Sequence, residues 1–143
     1  MSDDVLCYLF VYGTLKPGER AFANLCEPFA IAAQPAQTLG RLYHLPLGYP
    51  AMTTEPGWVQ GFLLTFSSAY ALTAIDDFEE YYPDRPQSSE YQRSLQTVYD
   101  LNQHPLEIAW VYTISLEQVN SFGGLWLPHG YWTEAMDFIN LPK

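Results

Sequence analysis

The apolar positions of this 143-residue chain come mostly in short blocks of strand length, with few stretches of helical period. Leu6 to Tyr12 is a run of large apolar residues without alternation, the pattern of a strand buried on both faces. It stops at Gly13, and a polar turn containing Pro17 and Gly18 follows. Ala36 to Tyr43 reads as a second strand, interrupted at Gly40. Leu47 to Met52 combines a turn with a short extended segment, because Tyr49 precedes Pro50 and is biased away from helix. Pro56-Gly57 is a turn signal, and Trp58 to Phe66 reads as a strand in which Gly61 marks a bulge or close packing. Tyr91 to Tyr99 and Leu106 to Ile114 are rich in β-branched and aromatic residues. Asn102-Gln103-His104-Pro105 suits the tip of a hairpin between them.

Helical patterns are fewer. Arg20 to Leu25 predicts a short helix limited by Pro28, and Thr133 to Ile139 a terminal one, with Gly123-Gly124 breaking the chain before it. Ser67-Ser68 offers an N-cap to the clearest helical pattern, Ala69 to Glu80. Pro83 and Pro86 bound a charged loop that runs to Glu90. Strands outnumber helices, so the expected class is α+β, with a strongly curved mixed sheet or small mixed β-barrel flanked by a few helices. No repeat or long linker divides the chain, and residues 1–143 are expected to form one domain.

Glu79 breaks the pattern of its helix. Projected at about 100° per residue, Ala71, Leu72, Ala74, Ile75 and Phe78 share an apolar arc, while Asp77 and Glu80 lie opposite. Glu79 falls between Ile75 and Leu72, inside that arc, three residues after Asp76. A carboxylate directed at a core must be paired, hydrogen-bonded or protonated, since burying it alone costs on the order of several kcal/mol. Partial burial and the neighbouring Asp76 would both favour proton uptake, as a general acid/base facing a pocket requires. The alternatives are an ion pair with Arg93 or Arg85, or a helix end that frays into solvent. The strand end at Gly13 is a second candidate. Amides of Gly13, Thr14 and Leu15 leaving a rigid strand would form a nest for a carboxylate or carbonyl oxygen; an ordinary strand-to-loop turn is the alternative.

Composition narrows the partners. The chain is 48% apolar and only 15% charged, which fits a globular core, and its formal net charge is −10. Such a field repels phosphate backbones and anionic lipid, so neither nucleic acid nor a membrane surface is expected as a partner. The acidic N-terminus and the short apolar run after it do not make a signal peptide, and no apolar stretch is long enough to span a bilayer. Cys7 and Cys26 alone make no disulfide framework; Cys7 reads as a small buried thiol, and a reducing, cytoplasmic setting is expected. His44, His104 and His129 show no metal-ligand spacing and read as loop or surface residues. Phosphate loops, nucleophile elbows and calcium-loop spacings are missing, and neither cysteine has a neighbouring nucleophile motif. The tyrosines and tryptophans read as core rather than as a ligand cage.

Val11-Tyr12-Gly13-Thr14-Leu15-Lys16-Pro17-Gly18 resembles the Tyr-Gly-(Ser/Thr)-Leu signature of the gamma-glutamylcyclotransferase-like superfamily, which includes the gamma-glutamylaminecyclotransferases. Ile75-Asp76-Asp77-Phe78-Glu79 is similar to its Leu-Asp-x-x-Glu segment, and Tyr91-Gln92-Arg93 to its Tyr-x-Arg. Gly40-Arg41-Leu42-Tyr43, Tyr49-Pro50-Ala51, Val59-Gln60-Gly61 and Trp110-Val111-Tyr112 are weaker matches. Leu127-Pro128-His129-Gly130-Tyr131-Trp132 resembles a Pro-Ser-Gly-Asp-Trp element. The matches keep the family's order from about Leu6 to Trp132.

The resemblance implies a small β-barrel flanked by helices and a ring closure that releases 5-oxoproline and a free amine from a small gamma-glutamyl compound. Glu79 would be its acid/base. The Tyr12, Gly13, Thr14 and Leu15 loop would hold substrate, with Tyr91 and Tyr112 lining the pocket. Such a closure calls for no metal, no cofactor and no covalent intermediate, which agrees with the missing motifs. Arg93 would pair with Asp76 or another carboxylate and set the local field rather than touch substrate. Three positions depart from the family pattern: Glu80 replaces a glycine, and His129 and Tyr131 replace Ser and Asp. A binding module without turnover is the rival reading, and a pocketless β-domain whose aromatics serve protein contacts is a third.

Overall fold

A computed structural model of the chain describes residues 6–13, 15–17, 19, 26, 30–46, 48–67, 71–78 and 91–133. Its elements run β1 (Cys7–Val11), β2 (Ala30–His44), β3 (Pro50–Phe66), α1 (Ala71–Phe78), β4 (Gln92–Tyr99), β5 (Pro105–Thr113), α2 (Leu116–Phe122) and β6 (Leu125–Trp126). The strands hydrogen-bond in the order β3-β1-β5-β4-β2-β6, and a further β2–β3 pairing closes the first five into a ring. All pairings are antiparallel except β1 with β5, which makes the sheet mixed. With the helices outside that ring, the α+β class and the closed, curved sheet expected from the sequence are both present.

The apolar run at the start of the chain is β1, flanked by β3 and β5. Alternate side chains serve two cores. Phe10 and Tyr12 join Leu42, Met52, Val59 and Trp132 inside the ring. Leu9 and Val11 point the other way, to a second core with Leu64, Phe66 and the α1 residues Leu72 and Ile75. Burial of each such side chain contributes about 1.5–3 kcal/mol, so an unalternated strand is what two opposed cores require.

Several boundaries differ from the sequence expectation. β2 begins at Ala30 rather than Ala36, and its first six residues extend past β4 as a sheet edge, where Pro35 needs no partner for a missing N–H. Pro56-Gly57 does not end a strand. Leu39 pairs with Trp58 and Arg41 with Thr53, so residues 54–57 stand opposite Gly40 as a large bulge within one continuous β3. Gly61 packs closely rather than bulging: a Cβ there would lie 2.1 Å from the Val11 carbonyl oxygen. The hairpin tip is organised by Asp100, whose Oδ1 accepts from the Asn102 and His104 amides at 2.8 and 2.9 Å.

Helix α2 is absent from the sequence reading. Ser115 caps it by accepting from the Gln118 amide at 3.1 Å, and Gly123 ends it at φ 76°. The helix expected over Ala69 to Glu80 is described from Ala71 to Phe78. Arg20 to Leu25, the charged loop to Glu90 and the helix expected after Thr133 lie outside the described residues. No helix among those described is long and apolar enough to cross a membrane.

Candidate active site

Because β1 and β5 run parallel, with Leu9 opposite Trp110, the chain leaves both strands at the same end of the ring. Helix α1 packs there through Leu72 and Ile75, and one buried polar chain fastens it. The Tyr12 hydroxyl donates to the Tyr112 carbonyl at 2.6 Å. The Tyr112 hydroxyl donates to Asp76 Oδ1 at 2.5 Å. Arg93, directly opposite Tyr112 on β4, grips the same carboxylate through both oxygens, Nε to Oδ1 at 2.8 Å and Nη2 to Oδ2 at 3.0 Å. Its guanidinium lies 4.3 Å from the centre of the Trp110 ring. Asp76 can be buried on the apolar side of its helix because three donor atoms receive it, two of them on one planar, bidentate cation. Of the partners open to Arg93 in the sequence, Asp76 is one it takes.

The loop after β1 rests on Pro50. A Cβ at Gly13 would lie 2.5 Å from Pro50 Cγ, so only glycine fits without moving that ring. The Pro50 carbonyl accepts from the Tyr91 hydroxyl at 2.7 Å. Lys16 N donates to the Gly13 carbonyl at 3.0 Å and closes the turn, while Leu15 drops into the outer core beside Tyr91 and Tyr112. Tyr12, Gly13, Leu15, Tyr91 and Tyr112 are thus buried around one end of the ring. Thr14 and Glu79 lie outside the described residues.

Tyr91 and Tyr112 direct their hydroxyls at protein groups and brace the site from within. Pro50 and Trp110 were visible in the sequence only as parts of weak motif matches, with no residue-level signal for their contacts. His44 departs from the expectation of a loop or surface residue. It ends β2, and its Nδ1 accepts from the Trp132 indole at 3.0 Å. Burial draws its pKa down, which keeps that nitrogen free to accept. His104 and His129 are exposed, as expected. Cys7 and Cys26 are buried and are not joined in a disulfide. Burial pushes the Cys7 thiol up, against the pull of the nearby Arg93 guanidinium, so it is no activated nucleophile. Among the described residues no three His, Cys, Asp or Glu side chains come together to hold a metal.

Solved structures share this fold. An AIG2-like protein of Mus musculus superposes with a TM-score of 0.65 at 23% identity, covering 89% of this chain and 88% of that one. A protein of Arabidopsis thaliana, solved in solution, gives 0.59 at 24% identity, covering 97% of this chain and 74% of that one. YkqA of Bacillus subtilis gives 0.62 at 21% identity, but this chain spans only 40% of its length. None of the curated proteins matches the sequence. A family model described as "Gamma-glutamyl cyclotransferase, AIG2-like" matches residues 9–134, which include the Tyr12 loop, α1, Arg93 and Tyr112, and the chain belongs to that family.

Proposed function

We propose that the protein is a gamma-glutamyl cyclotransferase-type enzyme that closes a gamma-glutamyl group on itself. The neutral α-amine attacks the γ-carbonyl carbon, the bond to the leaving nitrogen breaks, and 5-oxoproline and a free amine depart. Glu79 takes the proton that the α-ammonium must lose and delivers one to the leaving nitrogen, a role worth typically about 10²–10⁴-fold in rate. Amides of Gly13, Thr14 and Leu15 hold the substrate by a carboxylate or carbonyl oxygen. No cofactor enters this scheme. Two buried thiols not joined in a disulfide suit a reducing, cytoplasmic setting.

One observation carries the reading. Tyr112 accepts from Tyr12 at its carbonyl and donates to Asp76 from its hydroxyl, so the first loop and helix α1 are fastened to the same residue of β5. Asp76 has both oxygens engaged by donors, so the acid/base is sought in another carboxylate. Glu79 follows it by three residues in the sequence, and the helical period read there sets the two on neighbouring parts of the surface.

The test is 5-oxoproline release from a panel of gamma-glutamyl amines, amino acids and peptides. Glu79→Gln is expected to lower it by about 10²-fold or more. Release that survives this substitution removes Glu79 from the scheme. Binding of 5-oxoproline with no turnover of any compound would leave a small-ligand module of the same fold.

A further inference from the structure

Lys16 is the most deeply buried charged side chain among the described residues, at 1% exposure. Its ammonium donates to the Trp132 main-chain carbonyl, its one acceptor among those residues, and lies 4.0 Å from the centre of the Tyr131 ring. Three residues on, Glu19 accepts from the Thr133 hydroxyl at 2.9 Å. Residues 131, 132 and 133 are therefore each tied to the loop after β1.

The tie continues into the ring. The Trp132 indole, itself 1% exposed, donates to His44 Nδ1 at 3.0 Å. His44 is the cross-strand partner of Pro50, and Pro50 is the residue against which Gly13 rests. A closed circuit of contacts thus runs from Gly13 through Lys16, Trp132, His44 and Pro50 back to Gly13. An apolar side chain would fill the Lys16 slot without the desolvation an ammonium suffers. Burial draws the Lys16 pKa down, with Glu19 opposing. What the ammonium adds over a hydrocarbon is a directed bond to one carbonyl.

We infer that Lys16 is a positioning residue of the substrate loop, clamping residues 131–133 over it so that the Gly13 to Leu15 amides stay converged on the gamma-glutamyl group. The inference rests on the cyclotransferase reading of that loop. Amides held in place bind ground state and transition state alike, so a loosened loop weakens affinity more than it slows chemistry.

Lys16→Met keeps the length and apolar stem and removes the ammonium. It is expected to raise KM for a gamma-glutamyl substrate, and Kd for 5-oxoproline, by about tenfold, with kcat changed less than about twofold. Tyr131→Leu removes only the ring beside the ammonium. Tyr131 is 42% exposed, so this variant folds even if the first does not, and it should move KM the same way by about threefold. Amide hydrogen exchange should quicken at residues 13, 15, 16 and 131–133 in both. An unchanged KM with a reduced kcat or melting temperature would make Lys16 a packing residue and overturn the inference. Should the unmodified protein release no 5-oxoproline from any compound, the cyclotransferase reading fails by itself. Exchange then decides the clamp, which is overturned if neither segment responds.

Discussion

The chain builds one group of four side chains twice. Around Asp76 stand Arg93, the Tyr112 hydroxyl and the Trp110 ring; around Glu55 stand Arg41, the Tyr43 hydroxyl and the Trp126 ring. The chemistry is nearly identical, but the settings are not. Asp76 and Arg93 are 11% and 14% exposed, meet through two bonds, and join a helix to two strands of the ring. Glu55 and Arg41 are 23% and 34% exposed and meet through one bond at 3.1 Å. Tyr43 and Thr53, the other donors to Glu55, sit with Arg41 on the same β2–β3 hairpin, where they trim the bulge opposite Gly40. A carboxylate-arginine pair therefore takes its weight from what it joins and from the water it excludes.

Substitutions can break this contrast. Asp76→Ala takes two hydrogen bonds from the half-buried Arg93 guanidinium and one from Tyr112, and is expected to cost about 3–5 kcal/mol in denaturant unfolding. It should abolish 5-oxoproline release too, since α1 loses its anchor. A cost no larger than that of Glu55→Ala would show the two clusters to be equivalent after all. Tyr112→Phe deletes one charge-assisted bond and keeps the ring; about 1.5–3 kcal/mol is expected. Glu55→Gln should cost under about 1 kcal/mol, as screened pairs do.

The Glu55 cluster also carries a pH signature. The Tyr43 hydroxyl chiefly, helped by Thr53 and Arg41 against a smaller effect of burial, holds its carboxyl below the ordinary 4.5. A depressed folded pKa gives stability that is fully present above pH 4.5 and lost as pH falls below it through the folded value. Urea midpoints across the acid range should therefore fall less steeply in Glu55→Gln than in the unmodified protein.

Much of the fold was legible because local and global signals agree. The unalternated Leu6 to Tyr12 run announced a strand between two cores, and Leu72 and Ile75 announced the buried side of α1. Where they disagree, the sequence misleads. Pro56-Gly57 has every mark of a turn, yet β2 supplies pairing on both sides of it, a fact no local window contains. The Ala30 to Pro35 stretch alternates with nothing because it lies on an exposed edge. Helix α2 did carry a signature, Ser115 followed three residues later by Gln118 and then Gly123. Only Val119 of that helix is buried, so no apolar period drew attention to it.

The site divides the same way. Motifs drew attention to Tyr12, Gly13, Tyr91 and Tyr112 as positions, and Asp76 was one foreseeable partner of Arg93. The Tyr112 carbonyl, the Pro50 ring under Gly13 and the Trp132 carbonyl above Lys16 could not be foreseen. Each depends on strand register or on main-chain atoms that every sequence possesses.

The ring closes through two residue pairs, Gln37 with Tyr99 and Thr38 with Val98, on the side away from β1. The hairpins β2–β3 and β4–β5 are each complete without that seam, and contacts between distant segments form only after loop entropy has been overcome. Side chains reinforce this short seam: Thr38 donates to the Thr97 carbonyl, Gln37 to the Asp100 carbonyl, and Gln96 to the Thr38 hydroxyl. That seam lies across the ring from the junction of Tyr12 with Tyr112, so the two can be altered independently.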